Sequence, residues 1–471
     1  MHRALTFVLL TASASAFAAA PFDADFTGAT ARIDYYHTGT ATEERFALDR
    51  VRIEGPWPGS RTRLIAEDNL GPYRVEVEDL ATQRVLFARG FASLYGEWES
   101  TDEARSGIHR TFAEAVRIPE PARPFVLRIR KRGADQAFRE VWTTTVDPRS
   151  RFVDRAAVPQ RTVLRVFEHG DPAVKVDLLI LGDGYAASDM ERFRADVRRL
   201  SDALFAVEPF RSRKGDFNVR AIETPSPSSG ITRPRQGRFV ESPLRARYNI
   251  FDSERYLMTL DDRAWRDIAA AAPYDAVLIL ADERMYGGGG VYGLYSTAAA
   301  GSEFAPYLVI HEFGHHFAAL GDEYFTSDPE PERPSEALPE PWEPNLTALH
   351  DPAALKWMDL VTDGTPLPTP WNKAEFETYS QSIQTERRRL RAENRPEEEM
   401  EALFRREREH LTRTLAAETH AGKVGAFEGA GYRARGLYRP SADCLMFTRD
   451  EVGFCPVCRH AVERAIDAHS R

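Results

Sequence analysis

His311 and His315 stand four residues apart, with Glu312 directly after the first, in the run Pro306-Tyr307-Leu308-Val309-Ile310-His311-Glu312-Phe313-Gly314-His315. On a helix that spacing projects both imidazoles from one face, where they can reach a single zinc ion at about 2.0 to 2.1 Å. A carboxylate beside the first ligand is placed to take a proton from a metal-activated water and pass it to a leaving amine. The chemistry indicated is amide hydrolysis, with Zn2+ as cofactor and Glu312 as the catalytic base. Chance produces the spacing in about one chain in fifty of this length and composition, so its context matters.

Two imidazoles leave zinc short of the three protein ligands usual in a catalytic site. A glycine turn followed by a third histidine would need Gly at 318 and His at 321, where this chain has Ala318 and Gly321. Asp322 follows one step later and brings an oxygen, with Glu323 beside it as the alternative. An acid at the C-terminal end of a helix is electrostatically unfavourable unless paired or metal-bound. The competing reading is that Asp322 merely ends the helix.

The runs His311-Glu312-Phe313-Gly314-His315 and Leu320-Gly321-Asp322-Glu323-Tyr324 together resemble the signature of the immunoglobulin A peptidase family of metzincin-like zinc metallopeptidases. The resemblance extends through Leu179-Ile180-Leu181-Gly182-Asp183-Gly184-Tyr185, Phe217-Asn218-Val219 and Phe427-Glu428-Gly429-Ala430-Gly431-Tyr432. It covers most of 172 to 324 and 424 to 458, and more weakly the N-terminal region. It implies one zinc ion held by His311, His315 and Asp322, with Glu312 as base. It also implies a methionine turn at Cys444-Leu445-Met446-Phe447, with Met446 as an apolar floor beneath the metal; ordinary core filling is the other explanation for that residue. The family name does not carry immunoglobulin over as substrate, because specificity resides in pocket shape. Tyr438 is a candidate hydrogen-bond donor to the oxyanion, or else a phenol packed in the core.

The elements that must position these residues follow two grammars. From about 21 to 160, short alternating segments such as Ala31 to Tyr36, Tyr73 to Val77, Phe125 to Ile129 and Glu140 to Thr145 read as strands of a β-sandwich, ending in a linker at Pro148 to Val158. The continuous apolar run Val176 to Leu181 then reads as a buried strand. Ser188-Asp189-Met190-Glu191 starts a helix whose Met190, Phe193, Val197, Leu200 and Leu204 face the sheet. Phe217 to Ile222 and Ala276 to Leu280 supply further strands, with a helix around Tyr256 to Ala271. Gly182-x-Gly184-x-x-Ala187 invites a dinucleotide fingerprint, but the acidic residue due about 20 residues on is absent, Glu223 coming much later.

Gly287 to Gly290 reads as a tight turn before an exposed strand at Val291 to Thr297, whose edge near Gly293 is either a docking site for an extended peptide or an ordinary hairpin edge. Residues 326 to 422 read as a Pro-rich and charged helical insertion, in which Glu386-Arg387-Arg388-Arg389 is a solvated face. Asn345-Leu346-Thr347 matches a glycosylation acceptor incidentally. For the three cysteines, a disulfide from Cys444 to Cys455 or Cys458 leads, with a zinc knot of all three plus His460 as the rival.

The expected architecture is a multidomain α+β and α/β chain: signal peptide 1–18, N-terminal β-sandwich 19–160, and a metzincin-like metallopeptidase domain, 161–325 and 423–471, interrupted by the insertion 326–422. Basic His2-Arg3, apolar Ala4 to Leu10 and the small residues Ala16-Phe17-Ala18 mark the signal peptide, with cleavage after Ala18 and a periplasmic or secreted destination. No later stretch spans a bilayer, so no stable membrane insertion is expected. A net charge of -10 argues against a nucleic-acid partner. A protein or peptide substrate fits best. The alternatives are a zinc amidase acting on cell-wall peptides, and a zinc-containing binding protein without catalysis.

Overall fold

The computed structural model describes residues 22–326, 338–450 and 452–470. The expected signal peptide 1–18 therefore lies outside the described residues, as do residues 327–337 of the insertion.

Alternation of apolar and polar side chains shapes the first part of the chain. After a short helix α1 (Phe22–Asp25), strands β1 (Phe26–Gly39), β2 (Glu44–Pro56), β3 (Tyr73–Asp79) and β4 (Val85–Phe91) are followed by α2 (Leu94–Glu99) and α3 (Asp102–Arg105). Strands β5 (Arg110–Pro121), β6 (Phe125–Arg132), β7 (Phe138–Val146) and the two-residue β8 (Val153–Asp154) complete it. They form two sheets, in the orders β5-β1-β2-β8 and β4-β3-β6-β7. Ile33, Val51 and Ile118 of one meet Val75, Val77, Leu127 and Ile129 of the other in one buried core, the sandwich that the alternation predicts. The expected linker is not free of structure, since Val153 of β8 pairs with Val51.

The second layer opens with β9 (Val163–Phe167), which the sequence reading missed, and continues with β10 (Val176–Asp183), α4 (Met190–Leu204), β11 (Phe217–Ile222), α5 (Asp262–Ala269), β12 (Ala276–Ala281), β13 (Gly288–Val291), β14 (Tyr295–Ala299) and α6 (Ala305–Ala318). The sheet order is β13-β14-β12-β10-β11-β9. Its inner strands β14, β12, β10 and β11 are parallel, and β13 and β9 close the two edges antiparallel. Parallel strands covered on both faces favour apolar residues at successive positions, which explains the run Leu178 to Leu181 in β10, while buried Asp177 beside it is paired with Arg220. Leu178 and Ile180 face Phe193, Val197 and Leu200 of α4 and the underside of α6. Leu179 and Leu181 face Trp265 and Ile268 of α5, together with Leu94, Tyr95 and Trp98 of α2. Each such side chain contributes about 1.5–3 kcal/mol on burial.

The shared core on the α2 side joins the sandwich to the second layer. Backbone bonds add to it: the Ala92 amide donates to the Tyr292 carbonyl at 2.8 Å, and the Ala115 amide to the Asp262 carboxylate at 3.1 Å.

Two expectations fail here. The glycine run is not a free turn: β13 is itself the edge strand, and Val291 to Thr297 is broken by a turn in which Gly293 takes φ +71°. Tyr295 to Thr297, the later part of the strand expected to be exposed, are buried in β14, one strand inward from the edge. The turn after β10 cannot seat a dinucleotide, because a Cβ at Gly184 would already lie 2.7 Å from the Gly230 carbonyl. Asp183 instead organises the loop above it, accepting bonds from Ser242, Leu244 and Ala246.

The remaining elements are α7 (Lys373–Ala392), α8 (Glu397–Ala416), the hairpin β15 (Phe427–Ala430) and β16 (Arg433–Arg439), and α9 (Pro456–Ser470). The charge run on α7 is not wholly solvated. Arg387 is buried at 4% exposure and pairs with Glu254 at 2.9 Å, while Arg388 and Arg389 face water. Phe376, Ile383 and Leu390 of α7, with Met400, Leu403 and Phe404 of α8, extend the core that lies under α6. No helix among the described residues is long and apolar enough to cross a membrane.

Candidate active site

Helix α6 carries the site because it lies against an edge strand almost without side chains. A Cβ at Gly290 would stand 2.2 Å from the Glu312 carbonyl oxygen and 2.9 Å from His315 Cβ, and one at Gly288 would stand 3.0 Å from Glu312 Cγ. The glycines thus let the helix approach the sheet more closely than any other residue type would allow. His316 fixes the rotation of the helix. Its Nδ1 bonds the Val291 carbonyl at 3.1 Å and its Nε2 accepts the Val277 amide at 3.1 Å. Burial pushes its pKa down to about 4, so it serves as a neutral bridge and turns His311 and His315 the other way, towards the cleft.

There His311 Nε2 and His315 Nε2 lie 3.1 Å apart, and Asp322 Oδ1 is 3.1 Å from each. The edges of a tetrahedron around a zinc ion with nitrogen and oxygen arms of about 2.0 to 2.1 Å are about 3.3 Å. His311 Nδ1 faces the Leu445 carbonyl at 3.2 Å and His315 Nδ1 the Leu320 carbonyl at 2.5 Å. Carbonyls only accept, so both Nδ1 atoms carry hydrogen and the neutral rings turn their Nε2 lone pairs towards each other. Two lone pairs and a carboxylate oxygen at this spacing can hold a cation between them, and the donor set fits a divalent ion. Burial opposes the imidazolium of His315, yet Asp322 pushes its pKa up to about 9, so proton and metal compete for the site. Burial would raise Asp322, but His315 and His311 hold its carboxyl well below the ordinary carboxylate range. Glu312 is shifted the other way: burial raises it, against the pull of the two imidazoles.

A sharp reversal after α6 brings Asp322 back. Ala319 takes the left-handed conformation, φ 59°, and the Leu320 amide returns to the Gly314 carbonyl at 3.2 Å. Asn345 clamps the loop through both backbone groups of Gly321; it is fully buried, so the matching acceptor motif is indeed incidental. The hairpin tip then docks on the loop, with Gly431 N donating to the Asp322 carbonyl at 2.9 Å and Tyr432 N to the Tyr324 carbonyl at 3.0 Å. The Tyr432 hydroxyl donates to Asp322 Oδ2, which leaves Oδ1 facing the two imidazoles. Tyr432 also meets Tyr324 and Arg255. It was legible only as part of the Phe427 to Tyr432 run; nothing in its spacing singled it out.

Residues 444–447 form a tight turn, with Phe447 N bonded to the Cys444 carbonyl at 2.8 Å. Buried Met446 lies under α6, its Sδ 3.1 Å from where a Cβ on Gly314 would be. Tyr438 does not line the cleft: it sits within β16, exchanging backbone bonds with Thr347, and the hairpin phenol that does line it is Tyr432. Gly293 sits in the turn between β13 and β14, its amide bonded to the His316 carbonyl at 3.0 Å. Glu323 points away from the trio into the cysteine cluster. The three cysteines are unpaired, and His460 is exposed and not part of that cluster. Neither the disulfide nor the His460 knot is therefore formed.

Glu312, His315 and Asp322 open into a cleft of about 410 Å³ lined by Ala92 and Glu97 from the sandwich side, Gly289 to Tyr292, Trp342, Glu343 and the Gly431 to Arg433 tip. Residues 164–466 match the family model described as IgA Peptidase M64. The chain belongs to the IgA peptidase M64 family. Residues 21–143 match the model of the M64 peptidase N-terminus, so the sandwich is a family feature as well. No curated protein matches the chain. As an M64 family member the chain is a peptidase, whose substrates are proteins or peptides.

Proposed function

We propose that this M64 peptidase is a zinc-dependent endopeptidase of metzincin-like arrangement acting on extracytoplasmic protein substrates, with His311, His315 and Asp322 as metal ligands and Glu312 as general base. The observation that carries the reading is the convergence of three donor atoms at 3.1 Å spacings beside Glu312. When bound, zinc supplies Lewis acidity towards the attacking water and the scissile carbonyl.

The chain's own residues do the rest. Glu312 takes a proton from water as its oxygen adds to the peptide carbon, and delivers that proton to the amine as the C–N bond breaks. Burial raises its pKa against the pull of His311 and His315, a shift in the direction that suits a group that must both accept and release a proton. Tyr432 holds Asp322 in one orientation, and the Leu445 and Leu320 carbonyls hold the imidazoles. The substrate strand docks at Gly290 on the outer edge of β13. Gly288 on one side is already bonded to Arg255 and Leu257, and Tyr292 on the other to Ala92.

Purified Glu312→Gln protein should retain its zinc and lose cleavage of an unfolded protein by about 10² to 10⁴-fold; full activity sinks the assignment. A parallel panel of cell-wall peptides tests the amidase alternative. Export rests on the leader Met1 to Ala18, and a mature N-terminus at Ala19 is the matching check.

A further inference from the structure

A second group of metal-binding side chains lies one residue along the chain from the first. Cys444, Cys455 and Cys458 converge with Glu323 so that one donor atom from each lies within 4.8 Å of all the others. All four are buried, none above 5% exposure. The Sγ atoms of Cys444 and Cys458 are 3.8 Å apart. That matches the edge of a tetrahedron whose arms are about 2.3 Å, the zinc–thiolate length. Cys458 Sγ lies 3.1 Å from Glu323 Oε1. The other carboxylate oxygen, Glu323 Oε2, is buried with no hydrogen-bond partner, a costly state for a polar atom that a cation would relieve. Arg439, also fully buried, sets its charge towards Glu323 and Cys444, which offsets the surplus negative charge of four anionic donors around a divalent ion.

We propose that Glu323, Cys444, Cys455 and Cys458 form a closed structural zinc site distinct from the catalytic trio. Four protein ligands leave no open position for water or substrate, the hallmark of a structural centre. Binding releases the three thiol protons to solvent. The ion would join three segments: the loop holding Asp322, the turn holding Met446, and the start of α9. The first two already meet through the Glu323 amide and the Met446 carbonyl at 2.9 Å.

Metal analysis of the purified full chain should give two zinc ions per chain. His311→Ala/His315→Ala should keep one, and Cys455→Ser/Cys458→Ser should lose one. Because the cysteine variant could fail to fold, cobalt replacement in the wild type and in the histidine variant gives an independent readout: thiolate-to-cobalt charge-transfer absorption is expected in both. Thiol reagents should modify the cysteines only as metal is released. A single zinc in the wild type that vanishes in the histidine variant, a Cys444–Cys458 disulfide in the intact mass, or free reaction of all three thiols without metal release would each overturn the proposal. Failure of the catalytic reading would appear separately, as no metal lost from the histidine variant.

Discussion

Replacing Gly290 with alanine tests whether the approach of α6 to β13 sets the site. The added Cβ would lie 2.2 Å from the Glu312 carbonyl oxygen, where ordinary contact is about 3.4 Å, so helix and strand must separate by about 1 Å. Overpacking of this kind costs about 1–3 kcal/mol of stability. Its effect on function should be larger, because the displaced residues are Glu312 and His315, and misplacement by about 1 Å costs on the order of 10²-fold in rate. Urea unfolding and kcat/KM on an unfolded protein substrate measure the two effects, with zinc content as a third. Gly55→Ala is the control: a Cβ there meets nothing within 4 Å, and neither stability nor rate should fall. If Gly290→Ala keeps wild-type kcat/KM and zinc, the close packing of helix on strand does not position the catalytic groups.

Tyr432→Phe removes the hydroxyl that anchors Asp322 and should lower zinc affinity or kcat about 10 to 100-fold without loss of fold, measured by competition with a chelator. Ala319→Gly relieves a left-handed alanine and should raise stability by about 0.5–1 kcal/mol, read from the denaturation midpoint. His37 sits between Glu114 and Glu44 at 3.0 and 2.9 Å; burial disfavours its charge but the carboxylates win, so its folded pKa is raised. Its contribution is then fully present below the unfolded value of about 6.5 and is lost as pH rises through the folded value. The stability gap between wild type and His37→Gln should therefore shrink as pH increases, and a gap that widens would reverse the assigned shift.

The site was legible where chemistry imposes spacing. Two imidazoles on one helical face dictate the interval from His311 to His315, and a strand buried on both faces dictates the apolar run in β10. Phe217 to Ile222 came out with its boundaries intact because charged Asp216 and Glu223 bracket it. The glycine run of β13 was unreadable, since residues without side chains show neither alternation nor amphipathicity. Arg387 looked solvated because its partner, Glu254, lies 133 positions earlier. Tyr432 was not singled out because nothing local shows that a hairpin will aim its phenol at an aspartate more than a hundred residues upstream. Glu323 and the cysteines met only through the docking of the loop after α6, the turn at 444–447 and α9.

The contacts around Asp322 also fix which parts of the chain the peptidase needs. The helix bearing both histidines is complete by Ala318, but the tyrosine that orients the aspartate and the turn beneath the helix come from the last tenth of the chain. A chain cut before residue 430 carries all three proposed ligands and the Asn345 clamp on Gly321, but lacks the hydroxyl that orients the Asp322 carboxylate. On the proposed ligand set, catalytic competence therefore depends on residues 432 to 447 as much as on the helix that carries the two histidines.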